Sequence, residues 1–168
     1  MDANDLLIDG YGRLPDLVRS AVEDLSTDDL RWAPGKAANP IGWLVWHLTR
    51  VQDSHLAEVI GSRQVYLGGD WPKRFGLDPD PEDTGYDHTI EQVHTVRPES
   101  ADALVEYYDA VHEKTVAFLR GLTPADLDRI VDERWDPPVT LGVRLVSVLD
   151  DDLEHVGQAA YVRGLLGR

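Results

Sequence analysis

Residues 39–53 read NPIGWLVWHLTRVQD, and residues 149–158 read LDDDLEHVGQ. The first stretch opens a helix: Asn39 can cap free amides, and Pro40 at the first helical position loses nothing by lacking an N–H. Beyond it Ile41, Leu44, Leu48, Val51 and Val59 keep to one helical face, and Gly61 is a stop. The second stretch lies inside a longer run from about Thr140 to Leu166. Its apolar line through Leu145, Val148, Ala159 and Val162 also takes in His155, so this helix is polar in the middle of its own stripe.

Working outward, two more helices appear. Leu7, Tyr11, Leu14, Val18, Ala21 and Leu25 alternate steps of four and three, with Pro15 inside the run predicting a bend or irregular turns near Tyr11 to Leu14. From Ser100, a capping residue, Leu104, Tyr108, Val111, Thr115, Phe118 and Leu122 mark a third helix. LSTDDL at 25–30 and LTPADL at 122–127 each set Ser or Thr three residues before Asp, a capping pattern for a short helix ahead of the second and fourth helices. The expectation is an all-α four-helix bundle. Between its second and third helices lies a long crossover, Gly61 to Glu99, with Pro72, Pro79, Pro81, Pro98 and the acidic run DPDPED. A crossover of that length lets the two helices lie parallel, and short helical turns or a strand are expected near Val65–Leu67 and Ile90–Val96.

Composition narrows the function. At 168 residues the chain is expected to form one domain, 1–168, around one core. Sixteen Lys and Arg stand against 31 Asp and Glu, a net charge of −15, which disfavours nucleic acid and anionic membrane surfaces. No apolar run approaches the ~18 residues of a membrane span, and MDANDLLIDG lacks a signal-peptide pattern, so a cytoplasmic location is expected. There is no cysteine, which excludes disulfides, thiolate-bound zinc and catalysis by the protein's own thiol. A metal site here must use His and carboxylates.

Six histidines stand at 47, 55, 88, 94, 112 and 155. His47 lies beside the inward stripe of the second helix. Asp151, four residues before His155, is rotated only about 40° from it, a spacing that lets both side chains hold one ion. Burying carboxylates of Asp150–Asp152 beside a core His is costly without a counter-charge, which a divalent cation supplies. The alternative is that Asp150 and Asp152 face water and His155 is a core histidine bonded to Asp151 or to a buried water.

The second-helix motif, the long crossover, and the Asp-x-x-x-His pair followed by Gly157-Gln158 together resemble the DinB superfamily, with the metal-binding domain of mycothiol-dependent maleylpyruvate isomerases and related thiol S-transferases as the nearest branch. The resemblance implies a DinB-type four-helix bundle with a metal held by His47, Asp151 and His155. Asp151 departs from the family's longer Glu or His at that place. A divalent metal is implied, Zn first, with Ni, Fe or Mn suited to the same donors. So is a small-molecule thiol such as mycothiol, activated for attack on a small electrophile in an S-transfer or isomerisation. The alternative is a non-catalytic metal- or ligand-binding stress protein of the same fold.

The remaining residues divide as follows. Arg50, one turn after His47, is a candidate to receive a substrate carboxylate at the pocket rim, or an exposed partner of Asp53. Gln158 is a candidate to orient His155. His55 reads as structural or solvent-facing, His112 as a surface residue, and His88 and His94 as loop residues that reach the site only if the crossover folds over the bundle mouth. The five tryptophans read as core or loop anchors. A small-molecule substrate is the expected partner, and a third alternative is a dimerisation module, a homodimer pairing through an apolar helix face.

Overall fold

The computed structural model describes residues 1–168. Four long helices carry the core: α1 (Ala3–Val22), α3 (Ile41–Ile60), α6 (Ala101–Gly121) and α7 (Leu141–Leu166), with short α2 (Thr27–Arg31), α4 (Trp71–Arg74) and α5 (Ile90–Val93) between them. Long-range pairs give their directions. Tyr11 bonds Leu145 and Arg163 bonds Ala21, so α1 and α7 run parallel. Asn4 bonds Leu122 and Arg19 bonds Asp109, so α6 runs against α1. His55 meets Arg144 while His47 lies against His155, so α3 runs against α7 and with α6. The parallel pair α3 and α6 is what the long crossover permits. No helix is long and apolar enough to cross a membrane.

Capping sets the helix starts. Ser100 Oγ accepts from Ala103 N, and Thr140 Oγ1 from Val143 N. Ser26 and Asp29 bond reciprocally around α2, and Asp126 accepts from both the backbone and the hydroxyl of Thr123 at a 3-10 turn, Pro124–Asp128. Three expectations are corrected. The N-cap of α3 is Pro40, and no side chain caps it. α1 begins at Ala3, capped by Asp2, and continues as helix through Pro15 because the buried line Leu7, Tyr11, Leu14, Val18 packs on both sides of the proline. An antiparallel pair, β1 (Ile130–Asp132) and β2 (Val139–Thr140), precedes α7 and had no alternating signal.

The core is one cluster of 32 buried residues spanning all four long helices and reaching Tyr66, Phe75, Val93 and Val96 of the crossover. The crossover is therefore packed structure. It holds a 3-10 turn at Val65–Gly68 and the short helices α4 and α5, near the two places expected.

The phase of α7 also differs from expectation. Its buried line runs Leu141, Leu145, Val148, Asp152, Val156, Ala159 and Val162. Asp152 thus stands on the core line rather than in water, and Asp151 and His155 lie one step round the helix, toward α3. The reason is geometric: each residue turns a helix by 100°, so Asp151 and Asp152 cannot share a direction.

Candidate metal centre

His47 leaves α3 with only 5% of its surface exposed. Its Nδ1 lies 2.5 Å from the carbonyl oxygen of Thr84, and its ring stacks on Trp43 with centroids 4.6 Å apart at 10°. Burial lowers its pKa from 6.5 to about 4, so the imidazole is neutral at pH 7. A carbonyl only accepts, which puts the proton on Nδ1 and leaves the Nε2 lone pair free.

His155 reaches in from α7 with the same tautomer logic. Its Nδ1 is 2.9 Å from Gln158 Oε1, and its Nε2 is 3.6 Å from Asp151 Oδ1. The two imidazoles meet edge to face at 4.7 Å. Asp151 completes the group: donor atoms of His47, Asp151 and His155 all lie within 4.8 Å of one another. Asp151 Oδ2 is buried with no hydrogen-bond partner, and burial raises the carboxyl's pKa, with Glu154 and Asp150 adding to the rise against the pull of His155. Two imidazoles, each with Nδ1 on an oxygen, and a carboxylate with one oxygen unpartnered are a donor set that fits a divalent cation.

The rest of the wall comes from the crossover. Gly85 sits at φ +90, and a Cβ there would stand 2.8 Å from His47 Nδ1, 2.9 Å from Trp46 and 3.1 Å from Trp43. Only glycine lets the backbone pass so close while bringing the Thr84 carbonyl onto His47. His88 locks the turn: its Nδ1 accepts from Trp43 Nε1 at 3.2 Å, and its Nε2–H donates to Asp83 Oδ1 at 2.8 Å. Asp83 Oδ1 also accepts from Gly85 N at 3.1 Å. The crossover thus does fold over the bundle, and His88 joins the site's surround, while His94 caps α5 elsewhere. Thr84 and Gly85 went unseen because a backbone carbonyl and a missing side chain leave no periodic trace.

Arg50 is not at a rim. It is fully buried, and its guanidinium donates to the carbonyl oxygens of Asp83 at 3.0 Å, Pro81 at 3.2 Å and Asp80 at 3.4 Å, lies 3.7 Å from Asp53, and covers Tyr66 at 4.1 Å. Asp53 in turn accepts from Val65 N, Tyr66 N and the Tyr107 hydroxyl, at 2.8, 2.8 and 2.9 Å. Every donor face of Arg50 is committed to tying the crossover to α3. A carboxylate of a substrate finds no place on it. Gln158, by contrast, stands where expected, on His155.

The other histidines lie apart. His55 accepts from Arg144 at 2.8 Å, in a network with Glu58 and Asp132. His112 is half-buried against Tyr108 rather than on the open surface. Of the tryptophans, Trp46 is core and Trp43 is site wall. Asp152 is fully buried with neither oxygen partnered, and burial raises its pKa well above the usual carboxylate range.

Comparison with known proteins agrees with the fold. Residues 11–159 match the DinB superfamily. A solved structure, described as the conserved protein of a locus from Enterococcus faecalis, superposes with a TM-score of 0.91 at 28% identity, over 100% of this chain and 99% of that one. No curated protein matches the chain.

Proposed function

The chain belongs to the DinB superfamily, and from that premise we propose that it is a divalent-metal-dependent enzyme of the thiol S-transferase or isomerase type, with His47, Asp151 and His155 as ligands. One observation carries the reading: three donors from two antiparallel helices converge within 4.8 Å, with both imidazoles already oriented through Nδ1. A divalent cation held there, Zn first and Ni, Fe or Mn also suited, stabilises the thiolate of a bound thiol near neutral pH.

The chain's residues do the rest. Thr84 and Gln158 hold the imidazoles in the tautomer that presents Nε2. Trp43 and Trp46, with Gly85 against them, close the inner wall and keep water from behind His47. With no cysteine in the chain, the thiol comes from outside, a low-molecular-weight thiol such as mycothiol. The thiol gives up its proton and its sulfur adds to an electrophilic carbon of a double bond, whose π bond breaks as the neighbouring atom takes up a proton; in S-transfer the C–S bond stays, and in isomerisation that proton is lost again, the double bond re-forms and the thiolate leaves. A cytoplasmic, small-molecule role belongs to the same reading.

A second reading, a non-catalytic metal- or ligand-binding protein, draws on His88. This imidazole is committed on both nitrogens, to Trp43 and Asp83, and is not free to move a proton for a substrate.

Elemental analysis of untagged protein beside His155→Ala separates metal binding from its absence. We expect about one Zn, Ni, Fe or Mn per wild-type chain and loss in the variant with helical circular dichroism unchanged. A wild type that stays empty after metal is added overturns the metal reading. Thiol consumption with a panel of electrophiles then divides enzyme from binder, since a binder does not turn over.

A further inference from the structure

The walls of the candidate centre are built from α3, α7 and the crossover turn around Gly85, and their charges are one-sided. Between residues 78 and 92 the crossover carries six carboxylates and no Lys or Arg. On α7, Asp150 and Glu154 flank Asp151, and both are exposed.

The cations of α3 and α7 are three, and each is engaged elsewhere. Arg50 is saturated by crossover carbonyls and Asp53. Arg144 is tied to Glu58 and Asp132. Arg163 donates to the carbonyl oxygens of Ala21 and Glu23, on the α1 side of the bundle. Neither the two ligand helices nor the crossover turn therefore offers a free positive side chain to a ligand's tail.

Resting on the proposed function, we infer that the centre selects its thiol by the charge of the tail: neutral and cationic low-molecular-weight thiols bind, and thiols with an anionic tail are rejected. The metal's own charge does not cancel this preference. It acts on the sulfur, which every thiol presents alike, whereas the walls that a tail would pass carry Asp150, Glu154 and the acidic crossover. Like charges at that range disfavour each other at low ionic strength, and salt screens them.

The test uses full-length protein loaded with Co²⁺, whose thiolate-to-cobalt charge-transfer absorption reports binding without turnover. Three two-carbon thiols are titrated: 2-mercaptoethanol, thiocholine and 2-mercaptoethanesulfonate. We expect the sulfonate to bind roughly tenfold more weakly than the neutral thiol in low salt, with the gap shrinking in ~0.5 M salt. The double variant Asp150→Asn, Glu154→Gln, both exposed positions, narrows the sulfonate-to-neutral ratio, and comparing ratios between proteins removes the intrinsic differences among the thiols. Equal binding of all three, or a ratio indifferent to both salt and variant, overturns the charge selection while leaving the thiol reading standing. Cobalt uptake without a charge-transfer band for any thiol overturns the thiol reading itself, and the selection with it.

Discussion

Replacing Gly85 with alanine tests how far the crossover is part of the centre. Two costs follow from the structure. At φ +90 an L-residue sits in a region its side chain disfavours by about 1–2 kcal/mol. The new Cβ also arrives 2.8 Å from His47 Nδ1 and 2.9 Å from Trp46, atoms of rings locked in a packed wall, and such overpacking costs about 1–3 kcal/mol. The sum is about 2–5 kcal/mol of stability. Relief comes most directly by pushing the turn outward, which draws the Thr84 carbonyl off His47 and frees its tautomer. Urea unfolding followed by far-UV circular dichroism measures the first effect, and metal content after dialysis against a weak chelator the second. Gly61→Ala is the control: its φ is +72 but a Cβ there meets nothing within 4 Å, so only the backbone cost of about 1–2 kcal/mol applies and metal retention stays. If the two variants unfold together and hold metal equally, the close passage of the crossover does not position His47.

Gln158→Ala leaves the fold intact and weakens metal affinity about 10–100-fold by removing the oxygen that holds His155 Nδ1, read by competition with a chelator; an unchanged affinity counts against that role. Asp53→Ala strands the buried Arg50 guanidinium and two backbone amides, so we expect a loss of about 3–5 kcal/mol in urea unfolding, with new protease cleavage near Val65. His55 titrates in the opposite sense to a stabilising ion pair: burial first, then Arg144, lower its pKa from 6.5, with Glu58 pulling the other way. The folded state therefore binds this proton less readily than the unfolded chain, so the contribution of His55 is present above pH 6.5 and is lost as pH falls through that value toward the depressed one. Thermal unfolding of wild type and His55→Gln between pH 7.5 and 5.5 checks this, the variant showing the shallower decline on acidification.

Helix identity was legible in the chain because it rests on neighbours. The stripes of α1, α3, α6 and α7, the caps at Ser26 and Ser100, and the pairing of Asp151 with His155 all depend on spacings of three or four residues, where helical geometry alone sets who meets whom. The long crossover likewise predicted the parallel pair α3 and α6. Rotational phase was not legible to one residue. Whether Asp151 or Asp152 faces α3 is a 100° question, settled by the helices packed around α7, and the answer placed Asp152 in the core. Arg50 showed the same limit, since its charge suggested an exposed anion receptor and its neighbours, 30 to 57 residues away, made it a buried tie. Sequence by itself thus pointed to the four helices, their order and the three candidate donors, through local periodicity and the family's motif. Tertiary structure alone decided that Thr84, Gly85 and His88 surround those donors, because a backbone carbonyl, an absent side chain and a loop imidazole acquire their meaning only from what folding sets against them.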